Sequence, residues 1–201
     1  MSGLLVLAAS EGELEGLLPK CAAAVIGVGK VQSAVRSLEA IQTNRPDKVV
    51  CIGYAGSIAD GLQIGDVVVG TRICQYDVDL THFGCERCEV PTGNGNTQLG
   101  FLPLWDDPRI VGTRGAIGSA DVFLTRSYLG SHQFLGSGGL GLLACDMEGF
   151  SVAYAASRFS LPVMVVRIIS DDSKGHRPKS FPRFRALYQE KMRNILSVLS
   201  E

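Results

Sequence analysis

Short, unbroken apolar runs rich in β-branched residues constrain this chain more than any other feature. Leu4–Ala8, Ala22–Ile26 and Val49–Ile52 are unbroken, and Asp66–Gly70, Gly115–Ser119 and Val163–Ile169 follow the same pattern with minor interruptions. A strand with one wet face alternates apolar and polar residues, whereas a continuous run of strand length implies cover on both faces. Helices supply that cover. Lys30–Asn44 places Val31, Ala34, Val35, Leu38 and Ile41 at spacings of three and four, which predicts an amphipathic helix. Glu148–Phe159 predicts a second, with Val152, Ala155, Ala156 and Phe159 inward, and Phe184–Leu199 a third, carrying Leu187, Met192, Ile195 and Leu199. The order points to an α/β fold with a mixed sheet and helices on both sides. Residues 84–103 read as an irregular loop, and Gly136–Gly141 as the end of a helix turning into the strand Leu140–Cys145. Neither resembles a linker, so residues 1–201 are expected to form a single domain.

Hydrophobic residues make up 46% of the 201 and charged residues 19%, enough to build a sizeable core. The formal charge of −1 gives no electrostatic footprint for nucleic acid or an anionic membrane, so a small-molecule partner is expected. The apolar run Met1–Ala9 has no basic region before it and breaks at Ser10-Glu11-Gly12-Glu13. That is too short to span a bilayer and reads as the buried first strand of a cytoplasmic protein. Of the six cysteines, Cys21, Cys51 and Cys145 lie in apolar stretches. Cys85 and Cys88 form a lone C-x-x-C with His82 nearby but no second pair, which favours free thiols over zinc or redox chemistry.

Four groups of residues carry possible chemistry. Gly27-Val28-Gly29-Lys30 sits between a strand and a helix, where backbone N–H groups attract anions. It matches neither the P-loop spacing nor the dinucleotide fingerprint, so a tight structural turn is the favoured reading. Gly53-Tyr54-Ala55-Gly56 follows an apolar strand, at the place where open α/β sheets bind ligands, and reads equally as a turn or a contact. Asp146-Met147-Glu148-Gly149 opens a helix. The helix dipole explains Asp146 well and Glu148 less well, and a carboxylate there is placed to grip vicinal sugar hydroxyls. Arg167-Ile168-Ile169-Ser170-Asp171-Asp172 carries an arginine inside an apolar strand, which is costly without a partner. Asp171 at the strand end suits acid catalysis, although an Arg167–Asp171 pair would also serve structure alone.

In this order, and with Ala9–Glu13, Ile64–Val68, Tyr76–Gly84 and Ser119–Phe123 between them, these segments resemble the nucleoside phosphorylase superfamily, in particular its 5′-methylthioadenosine/S-adenosylhomocysteine nucleosidases. The resemblance covers nearly the whole chain. It implies a three-layer α/β/α fold with a mixed, partly barrel-like central sheet, a homodimer, a purine nucleoside as substrate, and neither metal nor cofactor. It also implies roles. Asp171 corresponds to the acid at purine N7, Glu13 to the carboxylate that activates water, and Glu148 to the residue holding ribose hydroxyls above Met147. Arg167 corresponds to an arginine near water and ribose, and Ser170 to the residue orienting the aspartate. Phe123, Leu124, Ala55, Gly56 and Phe181 correspond to walls of the base and 5′ pockets, and Phe83 to a residue reaching a neighbouring subunit's site.

Paired carboxyls on opposite faces of a sugar suit glycosidic hydrolysis. Phosphorolysis needs a bidentate arginine grip on phosphate. The similar phosphorylases carry an arginine shortly before the glycine motif of the third strand, where this chain reads Val50-Cys51-Ile52-Gly53. Water is therefore the expected nucleophile, and adenine the expected base because Asp171 accepts from a 6-amino group. A futalosine hydrolase releasing hypoxanthine, an adenosylhopane-type nucleosidase and a non-catalytic nucleoside-binding protein are the alternatives. Tyr54 replaces a smaller serine or threonine and Ser57 a glycine, and both changes fall where the 5′ substituent is read.

Overall fold

A computed structural model describes residues 3–17, 20–92 and 98–201. In chain order the elements are β1 (Leu4–Ala8), α1 (Glu11–Leu14), β2 (Ala22–Val25), α2 (Lys30–Asn44), β3 (Lys48–Ser57) and β4 (Val67–Gln75). Three two-residue strands follow, β5 (Val90–Pro91), β6 (Gln98–Leu99) and β7 (Leu102–Pro103). The chain then forms β8 (Thr113–Ser119), α3 (Arg126–Ser131), β9 (Leu142–Asp146), α4 (Gly149–Ser157), β10 (Val163–Asp171) and α5 (Phe181–Leu199).

The sheet closes on itself. The strands run β10-β4-β8-β9-β3, and β3 pairs back onto β10, giving a five-strand barrel from which β1 and β2 extend as a wing. The pairing is mixed. β10 is parallel to β3 but antiparallel to β4, and β9 is parallel to β8 but antiparallel to β3. β3 makes this possible by its length: Lys48, Val49, Val50 and Cys51 pair with β1, the other edge from Val49 to Gly56 pairs with β10, and Gly56 and Ser57 pair with β9.

Alternate residues of the central strands serve opposite cores, as the unbroken apolar runs require. Leu5, Leu7, Val49, Cys51, Val163 and Val165 pack with Phe150, Ala153 and Ala156 of α4 and with Ile41 of α2. Leu4, Val6, Val50, Ile52, Met164 and Val166 pack with Phe184, Tyr188, Met192 and Leu199 of α5. This is the three-layer α/β/α arrangement with a barrel-like mixed sheet.

Several expectations need correction. Residues 53–56, read equally as a turn or a contact, are strand, because β3 continues to Ser57, and β4 and β10 likewise run past their apolar segments to Gln75 and Asp171. α2 is rotated from its apolar stripe: Ser33, Ser37, Ala40 and Ile41 face inward, while Val31 is 76% exposed and Val35 lies on the surface. Ser33 tolerates burial because its hydroxyl donates to the carbonyl of Gly29 at 2.8 Å, within its own helix. Phe159 lies beyond the end of α4 and is exposed, and α5 starts three residues earlier than its periodicity suggests, at Phe181 with a proline in its first turn. Within 84–103, residues 93–97 fall outside the described part of the chain.

Candidate active site

Five strand ends converge on a cavity of about 250 Å³. Its walls come from Ala9, Ser10 and Glu13 after β1, Tyr54–Gly56 on β3, Val122–Leu124 after β8, Cys145–Glu148 at the end of β9, and Ser170 and Asp171 on β10. The register between β10 and β3 shifts between Ile169 and Asp171, so Asp171 pairs with Gly56. Such an irregularity re-aims side chains, and here two successive residues both line the cavity.

Glu13 is buried at the N-terminus of α1. Its Oε2 accepts from the Ser10 N–H at 3.0 Å and its Oε1 from the Tyr54 N–H at 3.1 Å, which ties the carboxylate to β3. Gly53 leaves the space for this: a Cβ there would lie 2.7 Å from Glu13 Oε1. Burial pushes the Glu13 carboxyl above its ordinary range, against the pull of Arg167 and the backbone donors.

Glu148 caps α4 and accepts from the Gly29 N–H at 3.0 Å. Burial first, and then the neighbouring Asp146 charge, push it up to about 7. The contact also decides the role of Gly27-Val28-Gly29-Lys30. The two glycines adopt positive φ (81° and 86°), and the donors expected to cradle an anion point at protein carboxylates, since Lys30 N–H donates to Asp121 at 2.7 Å. The tight turn is present, and its Gly29 N–H holds Glu148.

Asp146 and Arg167 form a fully buried ion pair, with Nε and Nη2 both on Asp146 Oδ2 at 2.8 and 2.6 Å. Ser119 Oγ and the Gly149 N–H also donate to Asp146. Arg167 Nη1 donates to the carbonyl of Cys51 at 3.0 Å. Burial opposes the arginine's charge, but Cys51, Asp146 and Glu148 outweigh it and hold the guanidinium firmly protonated. The alternative Arg167–Asp171 pair is thus not formed. Asp171 instead accepts from Ser170 Oγ at 2.7 Å and from Arg177 Nε at 2.9 Å.

Of the residues expected at the site, Glu13, Glu148, Asp171, Met147, Ser170, Phe123, Leu124, Ala55 and Gly56 line this one cavity. Arg167 does not: it is 1% exposed and stands behind the carboxylates as their counter-ion. Phe181 is exposed at the start of α5 and meets Tyr54 edge-on, 6.3 Å between centroids, outside the cavity wall. Phe83 is 79% exposed in a 3-10 turn and reaches no part of the cavity of its own chain. Sequence reasoning missed Arg177 and the linking role of Asp146; a buried arginine demanding a carboxylate was the available signal for the second. All six cysteines are free thiols, and among the described residues no three His, Cys, Asp or Glu side chains are grouped to hold a metal ion.

The model of the phosphorylase superfamily matches residues 10–201. This chain belongs to the phosphorylase superfamily. Among curated relatives, the 5′-methylthioadenosine/S-adenosylhomocysteine nucleosidase of Haemophilus ducreyi is 31% identical over 178 residues, covering 85% of this chain and 75% of its own length. The enzyme of the same name from Buchnera aphidicola is 30% identical over 161 residues, covering 77% and 68%. These relatives are nucleosidases, which are N-glycosyl hydrolases, and the chain is an enzyme of that class. Solved structures agree in fold. The Campylobacter jejuni nucleosidase of that name has a TM-score of 0.82 at 22% identity, covering 100% of this chain and 99% of its own. A mutant futalosine hydrolase of Helicobacter pylori has a TM-score of 0.81 at 22% identity, with both chains covered in full (100%).

Proposed function

We propose that this enzyme hydrolyses the N-ribosidic bond of a 5′-methylthioadenosine-type nucleoside and releases adenine. One observation carries the reading: besides Asp146, which is paired with Arg167, the carboxyl groups of Glu13, Glu148 and Asp171 line a single cavity with an apolar wall from Phe123, Leu124 and Met147. The names of the curated relatives support the substrate class.

In this scheme Asp171, held by Ser170, gives a proton to N7 of the base. The bond between C1′ and N9 breaks with its electron pair leaving on the base. Glu13 takes a proton from the water whose oxygen bonds to C1′, and burial, which raises its pKa, makes its carboxylate a stronger base. Glu148 accepts from the ribose hydroxyls. Water is favoured over phosphate because the buried arginine is already committed to Asp146 and Cys51, and because Glu13 would repel an anion. The enzyme is proposed to act as a homodimer, an assignment supported by exposed apolar side chains at Phe83, Val28, Val31 and Val35.

Chromatography of products from 5′-methylthioadenosine, S-adenosylhomocysteine, futalosine and inosine, with and without phosphate, tests the scheme. Adenine appearing from the first two without phosphate is expected; strict dependence on phosphate would overturn it.

A further inference from the structure

The Gly29–Lys30 turn is held by groups from the ends of β4 and β8 and from α4, none of which the reaction scheme uses. Lys30 directs Nζ onto Asp77 Oδ1 at 2.6 Å, just past the end of β4. Asp77 Oδ2 accepts from the Asp121 N–H at 3.0 Å, just past the end of β8. Asp121 closes the circuit, its Oδ1 accepting from the Lys30 N–H at 2.7 Å. From α4, Ser151 Oγ donates to the Lys30 carbonyl at 2.9 Å. The N-cap of α2 is Gly29, which has no side chain to satisfy the first N–H groups of the helix. Glu148 and Asp121, distant in sequence, accept from Gly29 and Lys30 instead.

This circuit reaches the cavity at both ends. The Gly29 N–H holds Glu148 by Oε1, and Glu148 makes no other hydrogen bond among the described residues, so Oε2 is the oxygen presented to a ligand. Asp121 is followed directly by Val122, Phe123 and Leu124, which form a cavity wall. The close approach requires glycine at position 29, where φ is 86° and a Cβ would come within 3.1 Å of Asp121 Oδ1.

The charges make the circuit sensitive to Lys30. The Lys30 and Asp77 side chains are each 18% exposed, so water screens their pairing less than that of a surface pair. The Lys30 ammonium faces Asp77 directly, and Asp121 adjoins both through its N–H and Oδ1. Without the lysine charge two adjoining carboxylates are left unbalanced and push apart. The Gly29–Lys30 peptide is bonded to one of them and moves with it, taking along the donor that orients Glu148. A displacement of about 1 Å is enough to weaken a hydrogen bond made to a substrate.

We propose that Lys30, Asp77 and Asp121 are positioning residues of the sugar subsite. Acting through Gly29, they fix the Glu148 carboxylate against the ribose hydroxyls and so set the preference for a ribonucleoside over its 2′-deoxy counterpart. None of the three lines the cavity, so their effect on the sugar passes through Glu148. The inference rests on the reading that Glu148 accepts from the ribose hydroxyls.

The test compares kcat/KM for 5′-methylthioadenosine and its 2′-deoxy analogue. Glu148→Ala sets the reference and should remove most of the ribonucleoside preference. Lys30→Met should lower the ribo-to-deoxy ratio about tenfold or more, the scale of a lost charge-assisted hydrogen bond, and Lys30→Arg should restore most of it. Asp77→Asn, which keeps an acceptor for the Asp121 N–H, should fall between, and it decides the matter if Lys30→Met does not fold. An equal loss on both nucleosides would make the circuit merely structural and overturn the inference. So would an unchanged ratio at unchanged activity. A ratio that Glu148→Ala itself leaves unmoved would instead sink the ribose role of Glu148, and cleavage of neither compound by the unaltered enzyme would sink the nucleosidase proposal; the inference falls with either.

Discussion

Two aspartate–arginine pairs stand at this site, one beneath the cavity and one at its mouth, and burial gives them opposite characters. Asp146–Arg167 is 0% and 1% exposed at its side chains, and further bonds from Ser119, Gly149 and Cys51 surround it. Asp171–Arg177 is 17% and 66% exposed, and its arginine comes from a surface turn. A buried pair is locked in place, because separating it strands a charge in a poor dielectric. An exposed pair is worth little and exchanges readily for a ligand. The first therefore serves the scaffold and the second the chemistry, although the residue types are the same.

The sharpest way to break the comparison is Arg167→Met. It leaves Asp146 without its counter-ion and Glu13 and Glu148 without a nearby cation, so denaturant unfolding should show a loss of about 3–5 kcal/mol. A loss no larger than that of an exposed pair would mean the buried pair is not structural. Next is Glu13→Gln, which keeps the shape and removes the base. Activity should fall about 10²–10⁴-fold, while the melting temperature falls only modestly, since the glutamine amide keeps one of the two backbone N–H bonds, from Ser10 and Tyr54, that the carboxylate accepts.

Glu148 connects the site to pH. Its folded pKa of about 7 lies above the ordinary 4.5, so its contribution to stability is complete below the ordinary value and is lost as pH rises through about 7. Between about pH 5 and pH 8 the native enzyme should lose stability relative to Glu148→Gln by on the order of 3 kcal/mol. Parallel pH profiles would show that Glu148 titrates normally. Smallest is Arg177→Leu, expected to change stability by less than about 1 kcal/mol, in contrast to Arg167→Met.

What the sequence disclosed follows the same division. The central strands were legible because covering both faces of a sheet leaves no polar residue in Val49–Ile52 or Val163–Val166. The rotation of α2 was not, since Ser33 satisfies its hydroxyl inside the helix and so lies buried where periodicity expects a polar, outward position. Glu13, Glu148 and Asp171 were legible through the order of their motifs. The partner of Arg167 was hidden, because a pairing between β9 and β10 depends on barrel closure. Arg177 depends on the turn at Asp172–His176; Asp172 and Gly175 are turn residues at turn spacing, but their order does not disclose that the turn returns Arg177 to Asp171. Phe181 resembled a site residue in type and order, yet it lies outside the cavity of its own chain.

Water as the nucleophile is the central step of the proposed reaction, and reaction in ¹⁸O-enriched water tests it directly. With 5′-methylthioadenosine in the presence of phosphate, mass spectrometry of the sugar product should find one ¹⁸O atom, at C1. An unlabelled sugar 1-phosphate would contradict it.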